Sequence, residues 1–446
     1  MYVRVGSSPV QDASEPEDDE SPGGAGRTGL VLDGITAVGE RVRAARALLD
    51  RPLTSYYLIA GITTLLVCLG LVMVLSTASV YDLTQGESPY HDFETQLIGV
   101  LVGVPIMWAV ARSQPRLFRA MAYPLLAVSA LGLLLILIPG VGQQINGATR
   151  WIAIGPIQFQ PSELAKLALA VWGADLLARK EKLGMLTDWR HILIPLLPGT
   201  GVLALLVMAG DDLGTTAILV VIFLALLWIA GTPGRIFATL VILMALVLVL
   251  LMVAEAYRSQ RLTMFFSNSP ANTNPVGPNQ QSIQGKIALG SGGIFGVGLG
   301  ASREKWGWLP ESTTDFIFAI IGEELGLVGT FCVTALYGGL AYAGLRVARR
   351  VPDTFSRLLA AAITVWIVAQ AVVNIGAVIG VIPITGVPLP LVSKGLSSVL
   401  VTMVGLGMLM SFARREPGAS QALAARGASP GGHVLSWLSQ GMRRGT

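Results

Sequence analysis

The stretch IFATLVILMALVLVLLMVA, residues 236–254, is almost entirely apolar and carries no charged side chain. At 1.5 Å per residue, a helix of about 20 such residues crosses the roughly 30 Å hydrocarbon core of a membrane. Apolar runs of similar length recur along the chain, whereas a β-barrel would show short segments of alternating polarity. The sequence therefore predicts an all-α membrane protein with many spans.

The composition agrees with this fold class. Hydrophobic residues make up 53% of the chain and charged residues only 13%, against about 25% charged residues in an ordinary soluble domain. The basic residues are scattered along short loops without interleaved aromatic residues, so nothing supports nucleic-acid binding. The three histidines, His91, His191 and His433, lie far apart in sequence, so a histidine-rich metal site is not expected.

Ten apolar segments are predicted to be transmembrane helices. They lie at about residues 57–78, 95–112, 119–138, 161–178, 190–208, 214–231, 235–256, 316–346, 357–382 and 397–413. With the N-terminus inside, the short inner loops hold twelve basic residues and the short outer loops hold only Arg150 and Lys394, which is a strong positive-inside bias. The twelve are Arg112, Arg116, Arg119, Arg179, Lys180, Lys182, Arg190, Arg235, Arg346, Arg349, Arg350 and Arg357.

The ten helices are predicted to form one domain, residues 55–415, between two cytoplasmic tails, residues 1–54 and 416–446. The first 26 residues carry six acidic side chains against the single basic residue Arg4, so the N-terminal tail is predicted to be largely disordered. Residues 257–315 form a long extracytoplasmic loop between helices seven and eight, and loops longer than about 15 residues usually have a function.

Asp315 lies where this loop meets the eighth span, in the stretch LPESTTDFIF of residues 309–318. Placing a carboxylate at a membrane surface has an energetic cost that helix packing alone does not explain. Asp315 is therefore a candidate for chemistry on a membrane-bound substrate. The alternative is a simple helix cap, and a helix N-terminus lowers the pKa of a carboxylate. A general base needs the opposite shift, and the sequence leaves this question open.

Further charged residues fall inside or at the ends of spans. Glu163 and Lys166 share one helix face, either as a structural ion pair or as the wall of a polar cavity. Asp212 lies at the start of span six, where helix capping is a serious alternative to a role in a site. Glu323 and Glu324 lie among glycines in span eight and are predicted to be a buried polar pair in close helix packing.

Several motifs together resemble the signature of the SEDS family, the shape, elongation, division and sporulation proteins. They are NGATRW at 146–151, QPSELAK at 160–166, DLGTT at 212–216, LPE and TDFIF within 309–318, GEELG at 322–326, PLP at 388–390 and SS at 397–398. The resemblance covers about residues 55–415. The stretch GVGLGAS at 296–302, with Lys305, is more similar to the members that act in division than to those that act in elongation.

The resemblance implies a ten-helix peptidoglycan glycosyltransferase of the bacterial cell membrane, which polymerises lipid II, the undecaprenyl-pyrophosphate-linked disaccharide-pentapeptide. The family's essential aspartate corresponds to Asp315, and its cavity residues correspond to Glu163, Lys166 and Asp212. Family members work with a class B penicillin-binding protein, a transpeptidase, and the division members do so with other division proteins at the septum.

The residues fit this chemistry. Asp315 is predicted to be the base that takes the proton of the attacking hydroxyl, since pyrophosphate is already a good leaving group and one carboxylate can suffice. Positive charge must meet the departing pyrophosphate, supplied by basic residues or by a divalent cation, Mg²⁺ or Mn²⁺, held by carboxylates. The predicted substrate-binding residues are Glu163, Lys166, Asp212, Arg150, Arg258, Arg261, Lys286, Ser397 and Ser398.

Two other functions fit the sequence. A lipid flippase also suits many spans with embedded charges, but its ionisable groups should lie near the bilayer midplane, whereas Asp315 lies at the outer surface. A scaffold that only recruits the transpeptidase would not need Asp315. The chain also departs from the family at Lys394 and Leu396, in the motif usually written SYGGSS, which puts the role of that loop in doubt.

Overall fold

A computed structural model of the chain describes residues 53–84, 86, 88–145, 148–155, 157–185, 188–254, 280–419 and 421. The helices in this part are α1 (Thr54–Thr84), α2 (His91–Arg112), α3 (Pro115–Ala120), α4 (Ala122–Leu135), α5 (Pro161–Lys182), α6 (Trp189–Ala209), α7 (Leu213–Ile229), α8 (Gly234–Ala254), α9 (Gln280–Ser291), α10 (Ile317–Arg350), α11 (Thr354–Ile379) and α12 (Leu396–Ala413). The strands are β1 (Gly142–Ile145), β2 (Ala148–Ile154) and β3 (Ile157–Phe159). Most of the two predicted tails lies outside the described residues, namely 1–52 and 422–446. The same holds for residues 255–279, which include the first part of the predicted outer loop.

Each of the ten apolar segments predicted from the sequence overlaps a helix, although the segment 119–138 is divided between the end of α3 and α4. Within the described ranges, seven helices are long and apolar enough to cross a membrane, namely α1, α2, α6, α8, α10, α11 and α12. Helices α4 and α7 are apolar but shorter, and α5 carries charged residues at both ends. The predicted helical, multi-pass membrane fold is therefore confirmed, while the number of ten crossings stays a prediction.

The prediction of an all-α fold omitted a small antiparallel sheet between α4 and α5. Its strand order is β1-β2-β3, and Ile152 at its centre pairs with Gly142 on one side and Phe159 on the other. Strands of three to seven residues bury too little apolar surface to stand out in a sequence dominated by long apolar spans. The sheet leads directly into Gln160, the residue before α5.

Helix α5 lies in the centre of the bundle, and nearly every residue from Pro161 to Ala178 is buried. Small residues allow the helices to approach closely. Van der Waals packing of this kind drives the association of helices in lipid, where the hydrophobic effect does not. A Cβ atom on Gly173 would lie 2.5 Å from a side-chain carbon of Leu226 in α7. In contrast, only Leu240 of α8 is buried, so most of the surface of α8 does not pack against the described part of the chain.

Helix α10 is interrupted at Gly326, whose backbone φ of 68° and ψ of −164° are not helical. Backbone groups beside the break pair with the loop that follows α9. Val297 donates its N–H to the carbonyl of Glu323 at 2.9 Å, and Leu327 donates to the carbonyl of Gly293 at 3.0 Å. Because backbone groups in a membrane must be satisfied inside the protein, the break and the loop depend on each other.

The side chains beside this break hold the same loop. Glu323 accepts hydrogen bonds from the Ser302 hydroxyl at 2.5 Å and from the backbone N–H of Arg303 at 2.9 Å. Glu324 forms an ion pair with Lys305 at 3.0 Å, in which both side chains are nearly fully buried. The predicted buried carboxylates are therefore present, but their partners come from the loop as well as from neighbouring helices.

The junction between the loop and α10 predicts a specific effect of Gly326→Ala. A Cβ atom there would lie 2.4 Å from the backbone of Gly296 and Ile294, and the positive φ adds strain. We expect a loss of at least about 2 kcal/mol in the free energy of unfolding, measured with denaturing detergent in mixed micelles.

The matched control is Gly338→Ala, the same change in the same helix, where nothing lies within 4 Å of the added atom. This variant should be neutral or more stable by up to about 1 kcal/mol. Equal destabilisation by the two variants would contradict the proposed dependence of the α10 break on the loop.

Candidate active site

The first two turns of α5 carry a buried ion pair. The Nζ of Lys166 lies 2.8 Å from Oε1 of Glu163, and the two side chains are only 1% and 2% exposed. Lys166 also donates to Oε1 of Gln370 on α11 at 2.8 Å, and the indole N–H of Trp366 donates to the same oxygen at 3.0 Å. The ammonium group therefore has both an anion and a neutral acceptor, which a buried cation requires.

Two amide side chains on α11 extend this network toward Asp315. Gln370 donates to the carbonyl of Pro388 at 3.0 Å. One turn later, Asn374 donates to the carbonyl of Val387 at 2.8 Å and to the backbone carbonyl of Asp315 at 2.7 Å. Hydrogen bonds on both sides of the Val387–Pro388 peptide thus join Lys166 to the backbone of Asp315 through the loop that follows α11.

The Asp315 side chain lies in the turn just before α10 and is half-buried. It lies close to Gly386, whose φ of 72° favours glycine. A Cβ atom on Gly386 would lie 3.6 Å from Oδ2 of Asp315 and 3.8 Å from a guanidinium nitrogen of Arg150. A carboxylate and a guanidinium group therefore lie close to each other at one glycine, a position without a side chain.

Arg150 links β2 to the start of α7, and Asp212 links α7 to the segment that leads into α5. Arg150 donates to the backbone carbonyl of Asp211 at 2.5 Å. Asp212 is the N-cap of α7 and accepts from the N–H of Thr215 at 3.0 Å. Its other oxygen accepts from Gln160 at 3.1 Å and from the hydroxyl of Ser162. Asp212 is therefore both a helix cap and part of the buried cluster, so the two predicted alternatives are not exclusive.

Hydroxyl groups complete this part of the cluster. Ser162 donates to Oδ2 of Asp212 at 3.2 Å. Ser397, in the first turn of α12, accepts from the backbone N–H of Gln160 at 3.1 Å and donates to the carbonyl of Gln158 at 3.2 Å. Ser398 is buried in the same turn. Ser397 thus fixes the segment that leads into α5.

The loop before α12 holds the backbone that precedes Asp315. The Ser393 hydroxyl donates to the carbonyl of Thr314 at 2.6 Å, and the backbone N–H of Lys394 donates to the carbonyl of Thr313 at 3.0 Å. With Asn374, these bonds fix three successive carbonyls, of residues 313, 314 and 315, and so limit the positions that the Asp315 carboxylate can take.

The two departures from the family motif have defined contacts. The Lys394 side chain forms an ion pair with Asp92 at the start of α2, whose backbone N–H donates to Oδ2 of Asp82 at 3.1 Å. Leu396 packs on Gly99 of α2, where a Cβ atom would lie 3.0 Å from the leucine methyl group. Both side chains therefore point to α2 and tie the loop to that helix.

The remaining predicted cations and the predicted metal are not found in this cluster. Lys286 lies beside Gly380 at the end of α11, where a Cβ atom would be 2.8 Å from its Nζ, and it is not part of the network that joins Lys166 to Asp315. Arg258 and Arg261 lie outside the described residues. In the described ranges, no three His, Cys, Asp or Glu side chains gather as a metal site, so the divalent cation stays a prediction.

Four residues of the cluster were not predicted from the sequence, namely Gln160, Ser162, Gln370 and Asn374. A signal for the last two was present, because two amides four residues apart in an apolar span share one helix face. Gln160 and Ser162 lie inside the motif at 160–166, but their role depends on Asp212, which is about 50 residues away in the chain.

The buried ion pair predicts a non-additive stability effect. Lys166→Met should cost about 3–5 kcal/mol in the free energy of unfolding, because it leaves the Glu163 carboxylate buried without its cation. The double variant Glu163→Gln/Lys166→Met should cost clearly less, because it removes both charges. Both values are measured with denaturing detergent in mixed micelles.

Lys182→Met is the matched control, since Lys182 lies at the exposed end of the same helix and should change stability by less than about 0.5 kcal/mol. The single variant Glu163→Gln is measured in the same way. A double variant that loses as much stability as the sum of Glu163→Gln and Lys166→Met would show that the two charges do not compensate each other.

Comparison with known proteins gives a consistent result. Residues 56–417 match the family model FtsW/RodA/SpoVE, described as "Cell cycle protein". A Mycobacterium tuberculosis protein named "Probable peptidoglycan glycosyltransferase FtsW" is 41% identical over 423 residues, covering 94% of this chain and 77% of that protein. "Stage V sporulation protein E" of Bacillus subtilis is 35% identical over 357 residues, covering 80% and 96%.

The fold is also similar to a solved structure. A chain of a peptidoglycan synthase complex, studied for the structural coordination of polymerization and crosslinking, superposes with a TM-score of 0.64 at 28% sequence identity. The superposition covers 82% of this chain and 98% of that chain.

Proposed function

We propose that this chain, which belongs to the FtsW/RodA/SpoVE family of cell cycle proteins, is a peptidoglycan glycosyltransferase that polymerises lipid II into β-1,4-linked glycan strands. The names of the relatives support the reaction class. The observation that carries the site is the convergence of the Asp315 carboxylate and the Arg150 guanidinium at Gly386, on a backbone held by Asn374.

The proposed topology has ten crossing helices, both termini in the cytoplasm and the 257–315 loop outside. The helices at all ten predicted positions support it, as does the excess of basic residues in the loops assigned to the inside. This orientation places Asp315 at the outer surface, where the sugar groups of lipid II are polymerised.

Asp315 is proposed to act as the general base. It takes the proton from the 4-hydroxyl of the acceptor GlcNAc, and the oxygen attacks C1 of the donor MurNAc. The bond between C1 and the pyrophosphate oxygen breaks, and undecaprenyl pyrophosphate leaves with the electron pair. Attack from the opposite face converts the α-linked donor into a β-1,4 linkage. Removal of such a base usually costs on the order of 10²–10⁴ in rate.

Positive charge is needed where the pyrophosphate leaves. Arg150 is the best-placed predicted cation in the described part of the chain, because it converges with Asp315 on Gly386. Lys166 is fully buried and already paired with Glu163, which suits a group that shapes the cavity wall. Lys286, Arg258, Arg261 and a divalent cation, Mg²⁺ or Mn²⁺, remain proposed further sources of charge.

The proposed partner is a class B penicillin-binding protein that crosslinks the new strands, and the proposed location is the division septum, together with other division proteins. The similarity to a chain of a complex that coordinates polymerization and crosslinking supports a transpeptidase partner. The identity with proteins named FtsW supports division.

The proposal is tested by lipid II polymerisation with the purified full chain and its cognate transpeptidase, with Mg²⁺ or Mn²⁺ supplied. Asp315→Asn should lower the polymerisation rate on the order of 10²–10⁴-fold, measured as glycan strands on a gel. The control, Glu94→Gln, removes an exposed carboxylate at the start of α2 and should polymerise at the wild-type rate.

The outcomes separate the candidate functions. A folded Asp315→Asn protein that polymerises at the wild-type rate would refute the role of Asp315 as base. Failure of the wild-type protein itself to make glycan under these conditions would favour a flippase or a scaffold instead.

A further inference from the structure

A cavity of about 620 Å³ lies at the opposite end of the bundle from the residues that surround Asp315. Helix α2 ends there and α3 begins, α10 gives way to α11, and α12 ends. It is lined by Gln114, Pro115, Arg116, Arg119, Val351, Pro352, Asp353, Ser356 and Arg415. Since four candidate membrane spans begin or end at this point, the cavity lies at a membrane surface, on the side predicted to be cytoplasmic.

The lining carries three guanidinium groups and one carboxylate. Both oxygens of that carboxylate, Asp353, are already engaged. Oδ1 accepts from Arg119 at 2.9 Å, while Oδ2 accepts from the hydroxyl of Ser356 at 2.9 Å and from its N–H at 3.1 Å. Asp353 is thus the N-cap of α11 and neutralises only one of the three cations.

The two remaining arginines leave a net positive charge in the cavity. Arg116 forms no ion pair with any residue in the part of the chain that the structure describes. Burial and the neighbouring Arg414 lower the pKa of Arg415, against a smaller opposite effect of Asp353. Arg116 and Arg415 are both exposed, so a ligand can reach their guanidinium groups, and a bound anion would offset the repulsion between Arg415 and Arg414.

Apolar surface adjoins the charged lining. Leu117, between the two arginines of α3, is 53% exposed, and Trp108, one turn before the end of α2, is 56% exposed. The guanidinium of Arg112 lies 3.3 Å from the centre of the Trp108 ring. Exposed tryptophan and arginine together are typical of the membrane interface, which agrees with the position of the cavity at a membrane surface.

We propose that this cavity binds the phosphate group of an anionic phospholipid from the adjacent leaflet, with Arg116 and Arg415 as the principal ligands. Basic pockets between transmembrane helices on the cytoplasmic side bind such headgroups in other membrane proteins. The planar fork of the guanidinium suits a phosphate, with two parallel hydrogen bonds. This site is separate from the candidate active site, and its existence does not depend on the proposed reaction.

The test is binding of phosphatidylglycerol, phosphatidylcholine and inorganic phosphate to the full chain in detergent, measured as bound adducts by native mass spectrometry. The variant Arg116→Gln/Arg415→Gln should weaken phosphatidylglycerol binding on the order of 30-fold, from about fivefold for each arginine at a membrane surface. Arg119 is left intact because its ion pair with Asp353 supports the N-cap of α11.

Two controls isolate the cavity. Arg190→Gln/Arg349→Gln removes the same charge from the same predicted face outside the cavity lining and should change binding by less than about threefold. Arg116→Lys/Arg415→Lys keeps the charge and should retain most of the binding. Both Gln variants should keep the wild-type unfolding midpoint in phosphatidylcholine, which shows that they are folded.

Three results would overturn the proposal. Equal losses from the cavity variant and the Arg190/Arg349 control would show only general surface attraction. Equal binding of phosphatidylcholine and phosphatidylglycerol by the wild-type protein would show that the site does not recognise an anion. Inorganic phosphate that competes as well as the lipid does would assign the cavity to a soluble phosphate ligand.

Discussion

The buried ammonium group of Lys166 is the constraint on which the candidate site depends. A cation inside a membrane helix bundle is stable only with an anion and with its hydrogen bonds made, and Glu163 and Gln370 provide these at 2.8 Å each. Because Gln370 also donates to Pro388, the residue that satisfies the lysine fixes the loop after α11. Asn374 then holds Asp315 from the next turn of the same helix, so a central ion pair and a peripheral carboxylate share one rigid support.

The same physical requirement organises the second buried cluster. The break in α10 leaves backbone groups without partners inside the helix, and the segment that follows α9 supplies those partners. Lys305 then brings a second buried cation, which Glu324 and Ser76 satisfy. Asp315 lies at the end of this loop and at the start of α10, so both clusters restrict its position, one through α11 and the other through the loop.

The sequence predicted the parts of this structure that depend on local patterns. Apolar runs of about 20 residues located the helices, and spacing alone placed Glu163 beside Lys166 on one helix face. The partners of Asp212 and of Glu323 could not be predicted, because they come from segments distant in the chain. The small sheet was missed for a different reason, since strands of a few residues carry little periodic signal.

The departures at Lys394 and Leu396 show how a motif can change in sequence while the hydrogen bonds made by its loop are kept. The bonds from this loop to the segment before Asp315 use the backbone N–H of Lys394 and the hydroxyl of Ser393, which still matches the motif. A backbone donor is the same whichever side chain follows it. The Lys394 side chain is therefore free of that task and pairs with Asp92 on α2. The change in sequence alters how the loop is anchored to α2, while the contacts that position the segment before Asp315 are retained.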